Sequence, residues 1–257
     1  MFQYELHMHT SEGSACGKSS GADMVDFYIK RGYAGMVVTD HFYHGNTAPS
    51  RDLPWREFIS CYAEGYHRAK EAAKGRDFDV FFGIEVKGKG WDEYLILGPS
   101  PDWYAEHPEL REVRGKEFFD IVRKEGAFII HAHPYRERLY MRDETVWLFP
   151  NLVDAIEVRN FGNLIEFDRR ALAYAEELNL PMTGGSDNHT AKDPLCPLTG
   201  IALPFRCRTL PELINAIREK KHLVIDLETV RSTAITRPTF TVKRDSEIGR
   251  ASCRERV

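Results

Sequence analysis

Two histidines one residue apart, His7 and His9 in the stretch Glu5-Leu6-His7-Met8-His9-Thr10, are the first residues able to do chemistry. Side chains of an extended strand alternate faces, so residues spaced by two share one face. Two imidazoles on one face make half of a metal site if the strand opens into a cavity. Four later segments offer matching donors at the ends of expected strands: Thr39-Asp40-His41, Gly83-Ile84-Glu85, His131-Ala132-His133-Pro134 and Gly185-Ser186-Asp187-Asn188-His189. A lone strand histidine is more often a hydrogen-bonded core residue than a ligand, but five such segments in register reverse that expectation. Mixed imidazole and carboxylate donors suit Zn, Mn or Fe. Their number exceeds the three or four ligands of one site, so at least two ions are expected. Paired ions favour in-line displacement at phosphorus.

The elements that must position these residues alternate. Strand patterns cover 2–9, 35–40, 79–86, 127–131, 154–158, 181–186 and 222–225, with a further extended piece at 93–97. Helical patterns run from the capping residues at Ser19-Ser20-Gly21-Ala22-Asp23 to 31, then over 55–74, 115–124, 137–148, 164–178 and 210–221. The helix at 137–148 is expected to cover the site, and Cys61 to lie in the apolar stripe of the helix at 55–74. Seven strands interleaved with helices argue for a parallel sheet. No Gly-rich phosphate loop follows the first strand, and the donors sit at the C-terminal ends of at least five strands. An α/β barrel fits both observations better than an open sheet does.

A chain of 257 residues, 42% hydrophobic and 29% charged, can form one soluble domain with a full core. Its net charge of −4 gives no reason to expect a long nucleic acid or a membrane surface as partner. No apolar run approaches the ~18 residues of a membrane span, and no signal peptide precedes the first strand. The five cysteines form no C-x-x-C pair, so they read as reduced thiols of a cytoplasmic protein. No pattern specifies an oligomeric state. The last eleven residues, EIGRASCRERV, resemble the translation of a common sequencing adapter and are set apart from the fold. Without them four cysteines remain and the charge becomes −5. The expected organisation is a barrel over 1–231, an extension over 232–246 with a late strand within 234–243, and the adapter-like tail over 247–257.

Taken together, the motifs His7-Met8-His9, Thr39-Asp40-His41, Gly83-Ile84-Glu85, Ala132-His133-Pro134 and Gly185-Ser186-Asp187-Asn188-His189 resemble the PHP family, named for polymerases and histidinol phosphatases. The resemblance spans residues 5–189. It implies a distorted (β/α)7 TIM-like barrel, a trinuclear metal centre, with two or three divalent ions (Zn, Mn or Fe) expected in this chain, and metal-dependent phosphoester hydrolysis. By position it implies that His7, His9, Glu85 and Asp187 hold the first ion. Glu85 would bridge to a second ion held also by His133, and His41 and His189 would hold a third. Two positions depart from the common pattern. Glu93 stands where a histidine usually follows the bridging glutamate. In the loop after the first strand, Glu12 is the candidate ligand of the third ion, with Cys16 the alternative.

Arg136, in His133-Pro134-Tyr135-Arg136, is the candidate catalytic and phosphate-binding cation, and Arg159 a second substrate contact, because guanidinium geometry suits phosphate. His131 is read as a core or supporting residue on the face of His133. The expected reaction is hydrolysis of a small phosphomonoester, histidinol phosphate-like or nucleotide-like, by a metal-bridging hydroxide. Rival readings are a PHP-type nuclease on short oligonucleotides, an inactive metal-binding PHP module, and an amidohydrolase, whose bridging lysine has no counterpart here. The loops at 42–54, 88–92 and 137–150 carry no substrate signature. Trp55, Trp91, Trp103 and Trp147 read as packing residues.

Overall fold

The computed structural model describes residues 1–88, 90, 92–137, 145–193, 196–225 and 241–244. Its strands are β1 (Phe2–Glu5), β2 (Gly35–Val38), β3 (Asp79–Lys87), β4 (Glu93–Leu97), β5 (Phe128–Ala132), β6 (Thr145–Leu148), β7 (Ala155–Asn160), β8 (Met182–Gly185), β9 (Ile201–Leu203), β10 (Leu223–Val224) and β11 (Thr241–Arg244). Its helices are α1 (Gly21–Lys30), α2 (Trp55–Tyr62), α3 (Glu64–Ala73), α4 (Pro101–Ala105), α5 (Lys116–Lys124), α6 (Ile165–Leu178) and α7 (Leu210–Arg218). Strands β1, β2, β3, β4, β5, β7 and β8 neighbour one another in that order. Each pair is parallel except those of β4, which runs antiparallel to both β3 and β5. Beyond the ends of β8 and β1, Asp187 N–H donates to His7 O (2.8 Å) and His9 N–H to Asn188 O (2.9 Å). These bonds bring the sheet round on itself, nearly closed into the expected TIM-like barrel.

The barrel therefore has the expected seven strands, but not the expected seven segments. The piece at 93–97 supplies its antiparallel member. The expected strand at 222–225 shrinks to β10, which pairs antiparallel with β9 on the outer edge of β1. Residues 145–148 form β6, paired in parallel with β11, where a helix was expected. The remainder of that expected helix at 138–144, Trp91, residues 226–240 and the tail from 245 lie outside the described residues. The helix expected over 55–74 breaks at Ala63 into α2 and α3. The buried face of α2 is Trp55, Phe58, Ile59 and Tyr62, spaced i, i+3, i+4, i+7. Cys61 falls off that face and is exposed, not in the core. Among the described residues no helix is long and apolar enough to cross a membrane.

Alternation along the strands divides the apolar residues into layers. Tyr4, Val37, Phe81, Leu95, Phe128 and Ala155, one from each of six barrel strands, cluster with Leu213, Ile214 and Ile217 of α7. Phe81, Phe128 and Ala155 lie near the end of the barrel where the parallel strands begin. Helix α7, started by a Thr209/Glu212 capping box, thus plugs that end. Full burial of a side chain such as Phe128 contributes about 1.5–3 kcal/mol. Residues of opposite parity, such as Phe82, Ile84, Ile96 and Ile129, pack outward under α2, α4, α5 and α6. The opposite end, where parallel strands finish, is left for polar residues, the usual place for function in such barrels.

The seam between β1 and β8 leaves no space for a side chain at Gly185. A Cβ on Gly185 would lie 2.3 Å from both His7 Cβ and Glu157 Oε1. Gly185→Ala should therefore force His7 or Glu157 to move and lower stability by about 1–3 kcal/mol. A urea midpoint equal to that of the parent would show that the seam is looser than these contacts imply.

Candidate metal centre

The donor residues reach the centre of the barrel through departures from regular strand geometry. Strand β1 ends at Glu5, four residues earlier than expected, and the chain bends at His7. The bend lets Leu6 stay in the apolar interior while His7 and His9 face the centre and Met8 packs outward. Amides freed by the bend are not left bare: Glu5 Oε1 accepts from His7 N–H and Ser186 N–H, both at 2.9 Å. At the end of β5, His133 has φ 29°, and after β8 Asp187 has φ 52°. Left-handed backbone at a non-glycine residue costs energy and clusters at functional sites. Here it turns both side chains inward. His131 consequently does not share a face with His133; it is buried outside the barrel, stacked on Tyr94 at 4.7 Å.

Around Glu85 the donors converge. His7 Nε2 lies 3.2 Å and His133 Nε2 3.1 Å from Glu85 Oε1, and His41 Nδ1 lies 2.5 Å from Glu85 Oε2. His9 Nε2 is 3.0 Å and His7 Nε2 3.6 Å from Asp187 Oδ1. Glu93 Oε2 lies 3.6 Å from His133 Nε2. Four groups bring one donor atom from each member within 4.8 Å of the others: His9/His41/His189, His7/His9/Glu85, His7/His133/Asp187 and His41/Glu85/Glu93. Eight of the nine expected ligands are thus brought together. Glu12 is in none of these groups. Its Oε1 sits 3.3 Å from Arg68 Nη1, and its Oε2 accepts from Gly21 N–H at the start of α1. Cys16, half-buried in the same loop, is in none of these groups either.

Hydrogen bonding settles which ring nitrogens face inward. Asp40 accepts from Thr10 N–H, Thr10 Oγ1 and Ser14 Oγ, so the Ser14 proton is committed. Ser14 Oγ can then only accept from His9 Nδ1 (3.0 Å), leaving the Nε2 lone pair of a neutral His9 facing Asp187 Oδ1. His7 Nδ1 donates to Glu157 Oε1 (3.0 Å), which leaves its Nε2 for the centre as well. His7 Nε2 and Glu85 Oε2 are buried without any aligned hydrogen-bond partner, although each has an opposite group in reach. Acceptors that face one another at 3 Å, buried, need a cation between them. The residues therefore fit divalent metal ions, with the oriented imidazoles and carboxylates typical of such sites.

The titration behaviour agrees. Burial pulls His7 down, yet the carboxylates of Glu157, Asp187 and Glu85 hold it well above the ordinary imidazole value. Burial also opposes His41, which Glu85 holds high. His9 is pushed down to about 3 by burial and by the neighbouring His41. Against burial, Glu85 is held ionised by His41 and His7, and Asp187 by Arg136 and His7. Burial, then repulsion from Glu85, lifts Glu93 to about 7. Burial alone would raise the Cys16 thiol, but its hydrogen bonds to His189 and His41 bring it to about 6.

The expected cations occupy different surroundings. Arg136 donates to Asp187 Oδ2 (2.7 Å), Asn160 Oδ1 (2.6 Å) and Asn163 Oδ1 (2.8 Å), so it braces a candidate ligand directly. Arg159 is half-buried, with Nη1 donating to Val158 O (3.2 Å). Sequence reading missed Glu157, which orients His7, accepts from His133 N–H and from Asn160 Nδ2, and is 1% exposed. A glutamate inside the apolar strand Ala155-Ile156-Glu157-Val158 is the same signal that marked Glu85. The irregular register between Glu157 and Arg159 turns Asn160 to the side of Glu157, which no pattern of residue types foretold.

Residues 166–221, which include α6, β8 and the segment of Asp187 and His189, match the family described as PHP-associated (PHP_C). No curated protein matches the chain by sequence. Among solved structures, a two-domain protein of Bacteroides vulgatus, described as containing a predicted PHP-like metal-dependent phosphoesterase, is similar at 18% identity with a TM-score of 0.67. The match covers 87% of this chain and 64% of that one, so this chain spans under two thirds of that protein. PsfC of Pseudomonas syringae is similar at 18% identity and a TM-score of 0.57, covering 88% and 92% of the two chains. A protein of Bifidobacterium adolescentis described as a metal-dependent phosphoesterase is similar at 17% identity and a TM-score of 0.50, covering 77% and 91%. Residues 166–221 thus resemble a PHP-associated segment, and they sit on a barrel of the same fold as these structures.

Proposed function

We propose that this protein is a metal-dependent hydrolase of small phosphomonoesters, working at a centre of up to three divalent ions. The observation that carries the reading is the buried pair of facing acceptors, His9 Nε2 and Asp187 Oδ1 at 3.0 Å, beside which His7 Nε2 and Glu85 Oε2 are buried without an aligned hydrogen-bond partner. His7, His9, Glu85 and Asp187 would hold the first ion, Glu85, Glu93 and His133 the second, and His41 and His189 the third. Such ions, when bound, supply Lewis acidity that acidifies water and neutralises charge at a phosphoryl group. The two proteins described as metal-dependent phosphoesterases support phosphorus as the reacting centre.

The chain's own residues do the positioning. Glu157 keeps the His7 ring in one tautomer, and Ser14 does the same for His9. Arg136 keeps Asp187 ionised and places a fixed positive charge beside it, where a phosphoryl oxygen gaining charge would be stabilised. Arg159 is the second proposed phosphate contact. An acidic chain favours a small substrate over long nucleic acid.

Three measurements test this. A phosphatase screen over histidinol phosphate, nucleotides and nucleoside bisphosphates, with Mn, Zn and Fe added separately, should find turnover that a chelator removes. His9→Ala and Asp187→Ala should each cost at least about 100-fold, the upper end of what loss of an outer-shell partner alone costs. Full activity in both would defeat the assignment. Glu157→Gln keeps the shape but weakens the hold on His7, so metal affinity measured by chelator competition should fall about 10–100-fold. Because His7 and His41 are raised above 6.5, an arriving ion must displace their protons at pH 7. Metal affinity should therefore rise with pH, and calorimetry in buffers of different ionisation enthalpy should register proton release; none released would contradict the ligand roles of these two residues.

A further inference from the structure

The loop that leaves β2 through His41 turns back on itself. Gly45 N–H donates to Phe42 O (2.7 Å), and a Cβ on Gly45 would lie 3.2 Å from His41 Cβ. Arg51 holds that turn, its Nε donating to Tyr43 O (2.7 Å) and its Nη2 to Gly45 O (2.5 Å). These contacts keep its guanidinium within roughly 10 Å of His41 Cβ by covalent dimensions alone. Arg111, from the turn at Pro108–Arg111 after α4, reaches the same loop, with Nη2 donating to Tyr43 Oη (3.4 Å). Both guanidinium carbons lie over the Tyr43 ring, at 6.0 Å and 5.6 Å from its centroid. Both cations bond only to neutral oxygens, and among the described residues neither is paired with a carboxylate. Nε of Arg111, and Nε2 of His44 next to Tyr43, are buried with no hydrogen-bond partner. The field in this corner is positive: burial first, then Arg114 and Arg51, push His44 down to about 4 against the opposing pull of Glu112. A half-buried guanidinium donor without an acceptor costs free energy that an incoming oxyanion would recover.

We propose that the row Arg51–Tyr43–Arg111 is a specificity site. It receives a second anionic group, phosphate or carboxylate, of the same molecule whose scissile phosphate meets the metal centre. The inference rests on the hydrolase reading above. Guanidinium groups present paired N–H donors that suit either oxyanion. Arg51 is exposed with its Nη1 uncommitted, so it can meet a ligand without breaking the bonds that hold the turn. Arg136 lies against Asp187 inside the cup, whereas Arg51 and Arg111 stand on the loop beyond His41. The first would serve the reacting phosphate, and the other two the rest of the substrate.

Phosphate release from paired probes, measured on the full metal-loaded chain, reads the site. Fructose 1,6-bisphosphate against fructose 6-phosphate adds a phosphate, and 3-phosphoglycerate against glycerol 3-phosphate adds a carboxylate. In the parent, kcat/KM should favour the doubly anionic member of at least one pair by about 10–100-fold, the range of a hydrogen bond to a charged group. The pair that responds identifies the preferred anion. Arg51→Gln combined with Arg111→Gln should bring that ratio close to one, chiefly by raising KM for the doubly anionic probe. Reading the ratio separates lost recognition from a general loss of activity. Lys74→Gln, just before β3 begins, should leave the ratio as it is in the parent. A parent ratio near one, or a ratio that survives the double substitution, would overturn the specificity site and leave the hydrolase standing. So would failure to cleave either doubly anionic probe while other phosphomonoesters are hydrolysed. No release from any phosphomonoester would overturn the hydrolase reading and this inference with it.

Discussion

Glu85 is a carboxylate with 1% exposure, and the rest of the site is a response to its charge. A lone ionised carboxylate in a low-dielectric interior is costly, and the cost is offset only by opposite charge at close range. Four imidazoles, those of His7, His9, His41 and His133, come within 3.6 Å of its oxygens. Asp187 and Glu93 add further negative charge to the same cup, and Arg136 pairs directly with Asp187. Negative groups thus outnumber fixed cations. Protons on His7 and His41 make up part of the difference, and divalent ions would make up more of it at lower cost, since they also satisfy the lone pairs that protons leave unmet.

Holding such a cup open takes more structure than the donors themselves. Uncompensated, the donor rings would rotate to make hydrogen bonds with one another and lose their common focus. An outer ring of polar residues prevents this. Ser14 and Asp40 fix His9, Glu157 fixes His7, and Asn160 and Asn163 fix Arg136, which in turn fixes Asp187. Glu5 props the bend that aims His7. Because these partners come from β1, β2, β7, β8 and their loops, the barrel's closure and the site's geometry are one problem. The hydrogen bonds that close the seam run through His7, His9, Asp187 and Asn188 themselves.

Several elements read from residue pattern alone match the structure closely. The helices at 115–124 and 164–178 and the strands at β3 and β5 carry their own period and their own stops, so local physics suffices. Where pattern failed, a nonlocal contact decided. The five residues at 93–97 read rightly as extended, but their place in the barrel comes only from β3 and β5, which flank them. The segment at 145–148 has the composition of either element, and its pairing with β11, nearly a hundred residues on, makes it a strand.

By itself the sequence determined the inventory: which imidazoles and carboxylates exist, that they end apolar runs, and hence that a barrel could gather them at one rim. Residue type and spacing suffice for that, because strand periodicity and burial preference are local properties. Only the tertiary structure decided direction. Left-handed backbone at His133 and Asp187 and the bend at His7 aim side chains against the alternation that spacing implies. The same holds in the loop at 10–18, where Glu12 and Cys16 compete on equal terms as letters. Arg68 and the first amide of α1 engage Glu12, while the backbone on either side of Cys16 bonds to Asn46 and His189. Apart from the amide at the start of α1, those partners lie 31 to 171 positions away in the sequence, so only the folded chain brings them within bonding distance.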